Sequence, residues 1–264
     1  MCTKALVVMW VSLCVVMLYS DPRLWVVVAS FMGFALARVM TAPVALARVK
    51  VFPALSPSAQ LLYCNTAVSL LHSVLTSLLA TSTLLTSHSL HSDYVNAATR
   101  SEFITTAIST GYFAYDLWDY VLNGLYVKSP DIVFHHVVVL VCYTSALSKT
   151  VGVPLLSLAL VCELHSVFLH SRKLLTMSNY SARYSRFLRW VWRAQWVFFA
   201  LARLPLHVFV AVLTYQARSL FARQLHWTMA FGGIVFINLL NAQLFYDVSK
   251  AYRKDYAVSN AHSC

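Results

Sequence analysis

The residues that could do chemistry in this chain are polar side chains set inside long apolar runs. Asp116 and Asp119 sit in ITTAISTGYFAYDLWDYVL (104–122). A spacing of three puts both on one helix face, with Tyr112 one turn earlier on the same face. Two carboxylates so close suit a cation, a proton or a polar headgroup; the alternative is a helix end whose acids reach the interface, paired to Lys128. His135 and His136 open IVFHHVVVLVCYTSAL (132–147). Neighbours on a helix point about 100° apart, so only one of the two can point squarely into a bundle. Taken alone, such a pair is structural. Glu163, Ser166 and His170 share a face of LVCELHSVFLHSRK (160–173), with His165 to the side. An intramembrane glutamate needs a partner, and a histidine of the preceding helix could supply it. His72 lies mid-segment, two turns after Asn65. Arg203 precedes Leu204-Pro205, where the proline frees a backbone carbonyl and kinks a helix, often beside a cavity. Asn238, Asn241, Gln243 and Asp247 make the last apolar segment polar, as interhelical hydrogen bonding would.

Such residues are informative because each ionisable group at the centre of a spanning helix costs roughly 2.5–3.5 kcal/mol on insertion scales. The elements that carry them are membrane segments. Of the 264 residues 59% are hydrophobic and 11% charged, against about 25% charged in a soluble domain. With a mean hydropathy of +0.67, this excludes a soluble domain, a disordered chain and a disulfide scaffold. The apolar runs are long and continuous, which excludes the alternation of a transmembrane β-barrel. Eight apolar segments lie near 5–20, 24–46, 60–84, 103–123, 132–147, 153–170, 190–213 and 226–249. The first reads equally as an uncleaved helix or a signal peptide with a poor cleavage site, so the expectation is seven or eight spans. The fold class is all-α multi-pass, with 1–50 holding the N-terminal apolar segments, 51–250 the core and 251–264 a tail.

The net charge of +11 is carried by loops rather than by a basic helix interleaved with aromatics, which argues topology rather than nucleic acid. Arg48 and Lys50, then Arg172, Lys173, Arg183, Arg186 and Arg189, then Lys250, Arg253 and Lys254 fall on one side of an alternating bundle. By the positive-inside rule that side, with the C-terminus, is cytoplasmic. The cysteines form no C-x-x-C pair and no H-E-x-x-H is present, so they read as small buried hydrophobes and no metal site is expected. Cys2 is a weak palmitoylation candidate, and a terminal Cys264 is not a prenylation box.

The order of His72, GYFAYDLWD (111–119), FHHVVVL (134–140), CELHSVFLHSRKLL (162–175) and FFALARLP (198–205) resembles the TLC domain, over about residues 60–250. Within that family it is similar to the subgroup of TLC domain-containing proteins 1 and 2. Gly111-Tyr112-Phe113 with Asp116, then His135-His136, then Glu163 with a displaced Ser166, then Ala202-Arg203-Leu204-Pro205 stand for the subgroup's motifs. The resemblance implies a six-helix TLC barrel, preceded by one or two helices. It also implies a plasma-membrane role in setting phospholipid acyl composition and membrane fluidity, with a lipid or acyl chain as the partner. His72, Tyr112, Asp116, Asp119, Ser166 and Arg203 would then bind the lipid. Ceramide synthases of the superfamily, which sit in the endoplasmic reticulum, imply the other reading. That is an acyltransferase with acyl-CoA as co-substrate and no other cofactor, on amino-lipid or lysophospholipid acceptors. His135, His136 and Glu163 would be its catalytic groups: His136 as base or nucleophile, Glu163 as its orienter, and Asp116 or Asp119 at the acceptor site. Glu163 falls at the first aspartate of that H-D-x-x-D pattern, Ser166 at the second and Cys162 at the histidine, so one carboxylate is lost. A channel regulator, transporter or chaperone-like membrane partner is the third reading, with no selectivity filter or inverted repeat to support it.

The orientation is testable on its own. Asn179-Tyr180-Ser181 is a glycosylation sequon, expected to stay unmodified in a cytoplasmic loop. A glycosidase-sensitive mass shift that disappears in Asn179→Gln would invert the topology.

Overall fold

The structure, a computed structural model, describes residues 15–260 apart from 17, 88, 90–92 and 128, and only the backbone of 257–260. Most of the first apolar segment, Cys2, Cys264 and the possible partner Lys128 lie outside the described residues. A 3-10 turn Pro22–Leu24 leads into α1 (Trp25–Arg48). The next helices are α2 (Pro57–Thr86), α3 (Arg100–Leu122), α4 (Pro130–Lys149) and α5 (Val153–Ala159). A 3-10 turn, Leu160–Cys162, joins α5 to α6 (Glu163–Met177). Then α7 (Arg186–Phe198) passes through a π turn, Phe199–Arg203, into α8 (Leu204–Gln216), and α9 (Gln224–Asn260) closes the chain.

The ends of these helices are written locally. Ser56 caps α2 through Ala59 N–H, with Pro57 in the first turn. Thr99 and Glu102 form a capping box on α3. Thr150 (φ 52°) and Gly152 (φ 73°) take the left-handed conformation between α4 and α5, the turn marked by Gly152 and Pro154. The short segments 132–147 and 153–170 are longer than expected, running over Pro130–Lys149 and Val153–Met177. Their polar ends had hidden the remaining turns.

Among the described residues six helical stretches are long and apolar enough to cross a membrane: Pro22–Arg48, Pro57–Thr86, Pro130–Lys149, Val153–Met177, Arg186–Leu220 and Gln224–Tyr256. The chain is an integral membrane protein. Helix α3 falls outside that set because its polar residues lower its hydropathy. It packs among α1, α2, α4 and α5, and its Thr105, Thr106, Ser109, Thr110, Asp116 and Asp119 are all buried. Surrounded by protein rather than lipid, it can be polar provided that its groups find partners.

The connections between the spans gather at two ends of the bundle, with α5 and α6, and likewise α7 and α8, running on as one span each. At one end Gly152 N–H donates to Val95 O at 2.7 Å, Asn96 Nδ2 to Leu220 O at 3.3 Å and Arg23 Nη2 to Thr150 Oγ1 at 3.2 Å. Asp93 anchors this turn by accepting from the Asn96 and Val95 N–H groups, bonds that hold its carboxyl below the usual carboxylate range. At the other end Phe52, Tyr63, Leu174 and Met177 pack together, beside the basic 171–189 stretch.

Helix α1 seats closely on α3. Ser30 Oγ donates to Ile108 O at 2.6 Å. A Cβ on Gly111 would fall 2.6 Å from Ser30 Cβ and 2.8 Å from Phe31 N. Gly111→Ala should therefore lower the thermal midpoint of the detergent-solubilised protein, by an overpacking cost of about 1–3 kcal/mol. Gly33→Ala in α1, where an added Cβ meets nothing within 4 Å, should leave it unchanged or raise it, by up to about 1 kcal/mol.

Candidate functional site

The helices enclose a polar chamber of about 360 Å3 toward the basic end. Its walls come from α2 (Asn65, Ser69, His72), α3 (Tyr112, Asp116), α4 (His135, His136), α6 (Glu163, Ser166, His170, Lys173), the π turn (Arg203) and α9 (Asp247). Of the sequence candidates only Asp119 lies outside this lining.

His136 is placed by one hydrogen bond and one charge contact. Its Nδ1 lies 2.7 Å from the carbonyl of Ile132. A carbonyl only accepts, so Nδ1 carries a proton. Its Nε2 lies 3.2 Å from Asp116 Oδ2. Asp116 Oδ1 accepts from Asn65 Nδ2 at 2.7 Å, and the same amide donates to Asp119 Oδ2 at 3.0 Å. Bonds to two carboxylates fix the orientation of the Asn65 amide. Asp119 is completed from behind by Arg38 Nε of α1 at 3.2 Å and Asn123 Nδ2 at 2.8 Å. Asp119 is thus a brace for Asp116.

Glu163 accepts from Ser73 Oγ at 2.7 Å, with His72 Nδ1 at 3.9 Å. Its hydrogen-bond partner comes from α2, not from a histidine of α4 as its sequence position suggested. Of the two histidines of α4 that line the chamber, His136 is taken by Asp116. His72 is 1% exposed, stacked on Tyr112 with ring centroids 3.7 Å apart and edged by Phe34. Its Nε2 bonds Ser109 Oγ at 3.3 Å.

Helices α7 and α8 carry their irregular turn where Arg203-Leu204-Pro205 predicts one. The π turn aims Arg203 inward. Its Nε donates to Asn241 Oδ1 at 2.9 Å and its Nη1 to Ser166 Oγ at 3.1 Å. Asn238 Nδ2 reaches His207 O at 3.2 Å, so Asn238 and Asn241 make the interhelical bonds expected of the polar face of α9, whereas Gln243 donates to Asp247 within the helix. His165 turns away from the chamber against Phe199.

A second cavity, about 100 Å3 and mostly apolar, runs toward the opposite end between α4, α5, α8 and α9, past Val139, Tyr143, Leu155, Val210 and Ile237. The two cavities share Phe113, His135, Glu163 and Arg203. His135 stands at this junction, edge-on to Phe113, and its ring makes no hydrogen bond among the described residues. The result is an amphipathic interior, with polar walls leading through four side chains into apolar ones. Cys142 and Cys162 line the apolar part as free thiols. No three His, Cys, Asp or Glu side chains among the described residues are disposed to hold a metal ion.

Ser73, Tyr143, Lys173 and Arg38 escaped the sequence reading as site residues. A serine, a tyrosine, a lysine at a helix end and an arginine in a lipid-facing run each have an ordinary explanation. Only the fold shows which of them turns inward.

A family model described as TLC domain matches residues 63–250. TLC domain-containing protein 2 of Danio rerio is 27% identical over 188 residues, covering 71% of this chain and 75% of its own. The Homo sapiens protein of the same name is 34% identical over 115 residues, 44% of either chain. TLC domain-containing protein 1 of Gallus gallus is 32% identical over 115 residues, 44% of this chain and 46% of its own. No solved structure matches.

The brace behind Asp116 predicts a stability pattern. Arg38→Ala leaves Asp119 without its cation and should cost roughly 3 kcal/mol, read as a lower thermal midpoint. Adding Asp119→Asn should restore part of the loss, because a neutral amide needs no countercharge. A double variant as unstable as the sum of the two singles would show that the pair is not coupled.

Proposed function

Since the chain belongs to the TLC domain family, its inner chamber lying within the matched region, we propose that it serves membrane lipid homeostasis by taking a lipid or acyl chain into that interior. The observation that carries this reading is the junction at Phe113, His135, Glu163 and Arg203, where a polar chamber passes into an apolar cleft. A lipid has that same division, and a site built for an ion or a soluble metabolite has no use for the apolar half. Occupancy by selected chains would set phospholipid acyl composition, and through it membrane fluidity. The plasma membrane is the proposed location, with the basic end and C-terminus facing the cytoplasm. The charge asymmetry of the loops supports that orientation.

One observation favours an acyltransferase as the second reading. His135 presents an unbonded imidazole at the junction, where the polar end of a chain entering the cleft would lie. A thioester carbonyl of acyl-CoA there would meet a possible base or nucleophile.

Both readings are tested in cells lacking their own TLC-domain regulators. Wild type, Ala230→Phe (which adds bulk to the cleft wall) and His135→Ala/His136→Ala are expressed at matched levels, and lipidomes are resolved by acyl chain. The wild type should shift phospholipid acyl composition and Ala230→Phe should abolish the shift. Persistence of the shift in the double-alanine variant supports passive binding, and its loss at unchanged abundance supports the enzyme. No shift with the wild type overturns both.

A further inference from the structure

We propose that the polar chamber holds a phosphate subsite built by Lys173, His170 and Arg203, so that the lipid it takes is a phosphate-bearing one with its chain directed into the apolar cleft. This rests on the reading of the interior as a lipid site.

The argument begins with the charges that face the chamber and with which of them are already answered. Among the acids, Asp116 has His136 and Asn65, Glu163 has Ser73 and Asp247 accepts from Gln243. Asp131 is exposed in the first turn of α4, where the helix dipole favours a negative charge. The cations make fewer direct bonds, although Asp131, Asp116 and Asp247 act on Lys173 from a distance. Arg172 is spent, bonded to Gln195 and lying over the Trp192 ring at 4.4 Å. Lys173 lines the chamber and makes no ion pair or hydrogen bond among the described residues. His170 lines the chamber, and its Nδ1 is shut off from solvent with no hydrogen-bond partner among the described residues. Arg203 uses Nε and Nη1 on Asn241, Ser166 and His165. Its Nη2 donors have no partner among the described residues.

These open donors are neighbours. Ser166, His170 and Lys173 stand at spacings of four and three, one above another on the inner face of α6. Arg203 reaches that same row at Ser166. The row runs from the junction with the apolar cleft to the basic end of the molecule. A ligand that satisfies it needs negative charge and acceptor oxygens pointing in several directions. A phosphate ester offers both, and lysine and arginine are its usual partners. A carboxylate has two oxygens in one plane and cannot reach the donors of α6 and of the π turn together as fully. A phosphate here would lie on the polar side of Arg203, leaving an attached chain to pass the junction into the cleft.

The test uses the purified full chain in detergent micelles and three probes with the same acyl chain: lysophosphatidic acid, monoacylglycerol and free fatty acid. Inorganic phosphate serves as competitor. The wild type should bind lysophosphatidic acid at least about tenfold more tightly than monoacylglycerol, the increment of one charge-assisted contact. Lys173→Gln should erase that preference without weakening monoacylglycerol binding, and Lys173→Arg should keep it. Each variant is compared only if it elutes as a single species with an unchanged thermal midpoint, and His170→Phe, which should also shrink the preference, stands in if Lys173→Gln does not. Displacement by millimolar inorganic phosphate would show that the subsite accepts free phosphate as well. Resistance to it would confine the site to the lipid-borne group, and either result is consistent with the subsite. Equal binding of lysophosphatidic acid and monoacylglycerol overturns the subsite while leaving the lipid reading intact. So does a fatty acid that binds as tightly with the same dependence on Lys173. Absence of binding by all three lipids overturns the lipid reading itself.

Discussion

Asp116 and Asp119 stand one helical turn apart in the middle of an apolar bundle, where neither could remain charged without partners on other helices. Meeting that requirement organises the whole polar half of the protein. Asn65 of α2 divides its amide between the two carboxylates, His136 of α4 takes the inner one and Arg38 of α1 takes the outer. Four helices are thereby held at fixed separations by bonds that have no substitute in lipid, because no water is present to replace a lost donor. The close seating of α1 on Gly111 of the same helix brings Arg38 within reach of Asp119. Helix α1 precedes the family domain at 63–250, yet it completes the charge balance of that domain's central helix.

That dependence explains how much could be read from the chain alone. The spans were legible because apolar runs of about 20 residues have few other uses. The expectation that only one of His135 and His136 would face the interior was not met, since both line the chamber. Adjacent helical residues point apart, and in the structure one meets Asp116 while the other lines the junction. The shared face of Glu163, Ser166 and His170, with His165 turned aside, followed from helical periodicity. Partners across helices were not legible. Arg38 and Asp119 are 81 positions apart and no periodicity links them. Glu163 was assigned a histidine from the helix before it because chain order stood in for space, whereas the bundle sets α6 against α2. Helix α3, marked as the apolar segment 103–123, was found as well, but its low hydropathy beside the other spans has its reason in the fold: this helix is surrounded by protein rather than lipid.

The irregular turn before α8 connects the two halves of the interior. A regular helix through Phe199–Arg203 would carry each side chain 100° onward per residue. The π turn interrupts that advance, and Pro205, which lacks an N–H, fits where the regular bonding is already broken. Arg203 is thereby placed against both Ser166 and Asn241, tying α6 to α9 across the junction. The cleft beyond it is lined by apolar residues of α4, α5, α8 and α9. Arg203 thus stands where the walls turn from mainly charged and polar groups to mainly apolar ones, with polar residues such as His207 and Thr214 continuing beyond it.

The same geometry constrains any chemistry done there. A histidine that acts as base or nucleophile needs one ring nitrogen free to meet the substrate. In His136 both are engaged, Nδ1 with Ile132 O and Nε2 with Asp116. Releasing Nε2 would leave Asp116 with only the Asn65 amide. His136 is thus suited to holding charge in balance, and the assignment of catalytic base passes to His135, whose ring is unbonded at the junction. Asp116 then orients the wrong histidine for a relay, and Glu163 is bound to Ser73 rather than to either. An unassisted imidazole is a weaker arrangement than a carboxylate-oriented one, because nothing fixes its tautomer or stabilises the cation it forms. This is why binding, rather than transfer, is the reading that the arrangement of the interior favours.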